Sequence, residues 1–161
     1  MAGPVTTSIL GNTSFTFVNV FRSSSATKFP RGTFSYASAT TDRLLDSTAT
    51  SDVSVTWTAE SSRVYLLTYS EPQVKVTNFS GPVNTDMTIR VDNTVGAQVA
   101  LTRHAMLGVT SPMLCMVILT DLSGPMTYAG CLRTASTAGT PTAFRSATSP
   151  AYMTVQDIGG N

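Results

Sequence analysis

The sequence predicts an all-β protein: an antiparallel sandwich with little helix. Three observations carry that reading. Apolar and polar residues alternate with a period of two along much of the chain, the mark of strands with one buried face. Turn residues interrupt the alternation roughly every 10–12 residues, the rhythm of sandwiches and barrels. Ser and Thr fill 46 of the 161 positions. Thr is stiff at χ1 and favours pleated, half-buried surface, and both residues also populate turns.

Taken in order, Thr13–Phe21 sets Phe15, Phe17, Asn19 and Phe21 on one face and Ser14, Thr16, Val18 and Val20 on the other. Residues 23–50 are polar and break the rhythm. They read as a long loop holding one strand at Gly32–Ser38 and a short helix at Asp42–Asp46. Asp52–Thr58 alternates cleanly, with Val53, Val55 and Trp57 opposite Ser54, Thr56 and Thr58. Further strands are expected at Arg63–Tyr69, Gln73–Phe79, Asp86–Val91, Ala97–Arg103, Met113–Thr120, Met126–Arg133 and Tyr152–Ile158. The separators are Glu71-Pro72, Ser80–Asn84, Asp92-Asn93, Ser111-Pro112 and Ser123–Pro125. The run Pro112–Leu119 is continuously apolar, which predicts a strand buried on both faces. It is well short of the ~20 residues of a membrane span. Residues 135–150 read as a second long loop. Eight or nine strands in 161 residues make one domain, 1–161, with a core large enough to fold without staples.

Composition narrows the function class. Only 12 % of residues are charged, 10 basic against 9 acidic, for a net charge of +1, while 42 % are hydrophobic. A soluble monomer normally carries about twice that density of surface charge. Such a surface is built to be covered by protein. The stretch Met1–Leu10 has no basic region and no apolar segment of signal-peptide type. Cys115 and Cys131 are too few for a disulfide framework, so a reducing compartment is the default and Cys115, mid-run among apolar residues, reads as a buried thiol; a Cys115–Cys131 bridge stays open if their strands are neighbours. Catalytic signatures are absent: there is no nucleophile elbow, no phosphate-cradling glycine loop and no histidine pair. His104 stands alone, and a triad needs a nucleophile and an acid converging on it. Leu44–Ala49 is close to an aspartic-protease signature, but Thr48 occupies the place of its required glycine. Asp42, Asp46 and Asp52 do not have the spacing of an EF-hand loop. No catalytic residue, metal or cofactor is therefore assigned, and an enzyme is not expected.

Phe21–Arg31 contains Arg22, Lys28 and Arg31 with Phe21 and Phe29 interleaved and no acid. With Arg43 further on, these residues form the candidate RNA contact. Cations track phosphates and aromatic rings stack on unpaired bases. Four cations on one subunit bind weakly, so they count only when many copies present them together.

Strand count, Ser/Thr/Ala/Pro loops, scarce charge and missing catalytic sites are shared with one family. The chain resembles the coat proteins of very small icosahedral viruses of the satellite type. That resemblance implies a jelly-roll sandwich of about eight strands. It implies a homo-oligomeric shell of 60 copies around a single-stranded RNA genome, a virion location with assembly in the host cytoplasm, a host-cell receptor as a further partner, and no membrane. One departure is that Met1–Phe21 has no Lys or Arg where such proteins often carry a basic arm, which places packaging on Arg22, Lys28 and Arg31. A second class stays open: a receptor- or glycan-binding sandwich, such as the projecting domain of a larger capsid. The loops at 23–50 and 135–150 would then be its recognition surface.

Overall fold

The computed structural model describes residues 6–8, 14–16, 32–45, 50–106, 108, 110–134 and 139–160. All regular structure among them is strand. A short antiparallel pair, β1 (Thr6–Ser8) with β2 (Ser14–Thr16), stands apart from the sandwich. The remainder of the strand expected at Thr13–Phe21 lies outside the described residues.

The sandwich comprises β3 (Gly32–Ala39), β4 (Arg43–Leu44), β5 (Thr50–Ala59), β6 (Arg63–Thr77), β7 (Val83–Val91), β8 (Gln98–Met106), β9 (Ser111–Leu119), β10 (Gly124–Thr134), β11 (Thr140–Phe144) and β12 (Ala151–Gly160). One sheet has the order β5-β10-β7-β8. In the other, Thr68 of β6 pairs with Thr154 of β12 on one edge and Met116 of β9 on the other, and β12 pairs onward to β3. The order there is β3-β12-β6-β9. Every pairing is antiparallel. The chain changes sheet at each connection between these eight strands except the β7–β8 hairpin. That is the winding of a jelly roll, and it matches the predicted fold class.

Burial follows the period-two pattern. Val53, Val55 and Trp57 face Tyr65, Leu67 and Tyr69 across the core, joined by Met87, Ile89, Leu132, Met153 and Val155. Trp57 stacks on Tyr128 at 5.5 Å between ring centroids and tilts against Tyr65 at 5.6 Å, locking the two sheets together. Gly130 on β10 lies directly over the Tyr69 ring of β6.

Several expectations need correction. The two strands expected at Arg63–Tyr69 and Gln73–Phe79 are one 15-residue strand, β6. Pro72 does not end it, because it falls where the ladders break. β12 pairs with β6 as far as Ser70, β11 takes over at Gln73, and the β9 register shifts between Glu71 and Val74. A missing N–H costs nothing at such a bulge. The helix expected at Asp42–Asp46 is absent from its described part. Arg43 and Leu44 instead pair with Ala143 and Thr142, and the Leu45 N–H donates to the Pro141 carbonyl. Tertiary pairing overrides a weak local propensity there. The strand expected at Gly32–Ser38 is present as β3, but the loop at 23–50 also holds β4, and that at 135–150 contains β11 and a tight Ser146–Ser149 bridge. Cys115 is a buried thiol, as the sequence suggested, and Cys131 is a second one in the other sheet, so the two do not pair.

Candidate functional site

Among the described residues, seven charged side chains are spent on one another. In the interior, Arg63 Nη2 donates to Asp157 Oδ1 at 2.6 Å, with both residues buried. Arg145 grips Glu71 through Nε (2.9 Å) and Nη2 (2.6 Å), and the Tyr69 hydroxyl donates to the same carboxylate. Burial first, and the neighbouring Glu71 charge second, push the Tyr69 hydroxyl well above its ordinary pKa of 10.0. Asp86 on β7 sits between Arg133 of β10 and Arg103 of β8, directly opposite both in register. It accepts from Arg103 at 2.6 and 2.8 Å and from Arg133 at 3.1 and 3.2 Å. The Arg103 hydrogen bonds hold its carboxyl below the usual 3.8 against the opposing effect of burial.

What remains outside is unusual on the β3-β12-β6-β9 sheet. Its outward rows run Tyr36–Thr154–Thr68–Met116, Ser38–Tyr152–Ser70–Leu114 and Gln156–Leu66–Ile118. No residue in these rows is charged. Leu114, Met116 and Ile118 are 44 %, 55 % and 61 % exposed, and Tyr36 is 57 % exposed beside Tyr152. The expectation that Pro112–Leu119 is buried on both faces is therefore half met. Met113 and Cys115 are buried, and the alternate residues are bare. Four strands at ~4.8 Å and about six residues at ~3.4 Å give this face an area on the order of 400 Å². Its apolar side chains, Tyr36, Tyr152, Leu66, Leu114, Met116 and Ile118, are interleaved with Ser, Thr and Gln, so the face is uncharged rather than wholly apolar, and the bare apolar groups on it suit contact with protein. On β6 the next exposed charge after this face is Lys75, past Pro72.

A second feature lies at that far end. A pocket of about 190 Å³ is lined by Asp42, Gln73, Phe144, Arg145, Ser146 and Ser149. It joins residues from both segments expected to be long loops.

Of the candidate RNA contacts, Arg22, Lys28 and Arg31 lie outside the described residues. Arg43 is half-buried on β4, where its Nη2 donates to the Leu132 carbonyl at 3.0 Å. His104 sits on β8 opposite Thr85. Among the described residues no group of three or more His, Cys, Asp or Glu could hold a metal, and no helix is long and apolar enough to cross a membrane. Asp46 lies outside those residues.

No family model matches the chain, and no curated protein matches it in sequence. Among solved structures it is similar to the VP2 subviral particle of infectious bursal disease virus. That match has 13 % identity and a TM-score of 0.39, and covers 98 % of this chain and 43 % of that one. It is similar also to the CBM22-1 xylan-binding domain of Xyn10C from Paenibacillus barcinonensis, with 9 % identity, a TM-score of 0.32, and 84 % and 100 % of the two chains covered. A CBM4 structure matches at 11 % identity and a TM-score of 0.35, over 74 % and 81 %.

Proposed function

We propose that this chain is the structural subunit of a closed, virus-type protein shell, and that the uncharged outer face of the β3-β12-β6-β9 sheet is an interface between copies. The observation that carries the reading is that face: four adjacent strands whose described outward rows hold no charge and whose edge strand exposes Leu114, Met116 and Ile118. Covering it with a second copy removes apolar area from water at about 25 cal/mol per Å². Its area is only about half the ~800 Å² per partner of a stable pairwise interface. A lone dimer on this face is therefore weak. Closed symmetry solves that, because each subunit makes several contacts at once.

The finer reading is an icosahedral shell of on the order of sixty copies, the smallest such closure, enclosing RNA as a virion. Arg22, Lys28 and Arg31 are left to meet the genome, since Arg43 is turned to a backbone carbonyl. Light scattering after size-exclusion chromatography tests the assembly. The expected mass is on the order of sixty subunits, and Met116→Glu should lower it to small oligomers while strand content stays intact. A wild-type chain that stays monomeric to trimeric at every salt and pH tried would remove the proposal.

A further inference from the structure

The 190 Å³ pocket at the β6–β11 end of the sandwich has no part in the shell contact proposed above. We infer that it is a binding site for one neutral, polyhydroxylated ring, the size and chemistry of a single sugar residue.

The floor is Phe144 on β11, directly opposite Gln73 of β6 in register. One wall is Asp42. Its Oδ1 accepts the Arg145 backbone N–H at 2.6 Å, which fixes the carboxylate and leaves Oδ2 without a protein partner among the described residues. The other wall is a stiff turn. Ser146 and Ser149 bridge through their backbones, and Ser146 Oγ accepts the Ser149 N–H at 3.0 Å. Arg145 lines the base, but its guanidinium is committed to Glu71 and, through Nη1, to the Thr41 carbonyl at 3.3 Å. The walls are thus held in place before any ligand arrives, which lowers the ordering cost of binding.

Charge selects the ligand. An anion would meet the Asp42 carboxylate, and the Arg145 guanidinium, already neutralised by Glu71, does not draw one in. A neutral ring avoids that repulsion and still uses the carboxylate as an acceptor. Its hydroxyls can donate to Asp42 Oδ2 and to the Gln73 carbonyl, and accept from the Gln73 amide and the serine hydroxyls. Its C–H face suits the negative face of the Phe144 ring. The volume is below the ~300–1,000 Å³ of drug-sized sites, so one ring fits and a chain of rings does not. Affinity from so small a site is expected in the millimolar range, about 4 kcal/mol.

Saturation-transfer NMR on the full chain tests this, with the methyl glycosides of glucose, galactose and mannose, N-acetylglucosamine, and glycerol as a non-ring polyol. At least one sugar should receive saturation and glycerol should not. Phe144→Leu and Asp42→Asn should each weaken binding by about tenfold or more. Gln73→Ala, an exposed position that does not threaten folding, should weaken it by a smaller factor, and Lys75→Ala should not change it. The inference is overturned if no sugar receives saturation, if glycerol does so equally, or if transfer is the same in wild type and in both the Phe144→Leu and Gln73→Ala chains. None of these outcomes bears on particle mass, so this site and the shell stand or fall separately.

Discussion

Gly130 carries no side chain because Tyr69 fills the space one would need. A Cβ there would lie 2.7 Å from the Tyr69 ring. The ring cannot retreat, since it is fully buried and its hydroxyl is tied to Glu71. Gly130→Ala is therefore predicted to cost about 1–3 kcal/mol, read as a lower denaturation midpoint at unchanged slope. Asp86 gives a pH prediction. Arg103 and Arg133 lower its folded pKa below the unfolded value near 3.8. Its contribution is therefore complete above that value and is lost as pH falls below it towards the folded pKa. Asp86→Asn should flatten the acid limb of the stability curve below about pH 4 and leave the neutral-to-alkaline limb unchanged. Tyr69 titrates with the opposite sense. Its pKa is raised, so the stability it adds is full below pH 10 and fades at higher pH. Tyr69→Phe should remove that alkaline loss.

Strand β6 is the element that organises the molecule. It pairs with β12 and β9 along its first half and with β11 along its second, so both the apolar face and the pocket depend on it. The changeover at Glu71-Pro72 leaves a buried carboxylate to be satisfied, and Arg145 does this from 74 residues away. Breaking that pair strands a charge in the core. Arg145→Met is predicted to destabilise by about 3–5 kcal/mol, and the double change Glu71→Leu with Arg145→Met should recover much of the loss, as a double-mutant cycle in urea would read. The same pair anchors the Thr41–Asp42 segment, so Arg145→Met should also disorder one wall of the pocket. That loss would appear as faster amide exchange at Leu44 and Leu45.

For the whole molecule, scarce charge and an uncharged sheet face point the same way. Contacts built on uncharged rows are indifferent to screening, whereas ion-pair contacts weaken as the Debye length shrinks from ~10 Å at 0.1 M towards ~3 Å at 1 M salt. Assembled mass is predicted to persist in 1 M sodium chloride and to rise with ammonium sulfate, which strengthens apolar burial. Dissociation by sodium chloride alone would count against the apolar interface. RNA content should behave oppositely. Each phosphate contact by Arg22, Lys28 or Arg31 adds to the salt slope, so changing all three to Ala should lower the ultraviolet ratio of purified particles, and their total mass by the RNA lost, without changing the number of subunits.

Fold class, and most strand positions from Val53 onward, were legible in the sequence, because a half-buried strand writes its two faces into alternate residues. The alternation of Asp52–Thr58 and the turn residues after it needed no partner to be read. What the sequence could not show is which strands meet. Pro72 reads as a stop unless β11 and β12 are known to change over beside it, and Asp42–Asp46 reads as a helical turn unless β11 is known to lie alongside. Alternation alone says nothing of a continuous run such as Met113–Leu119, where both faces are apolar and only the second sheet reveals which one it covers. Glu71 finds the Arg145 guanidinium, and Asp42 the Arg145 backbone N–H, only after the chain has wound between its sheets, since side-chain chemistry acts over a few ångströms and sequence separation carries no distance.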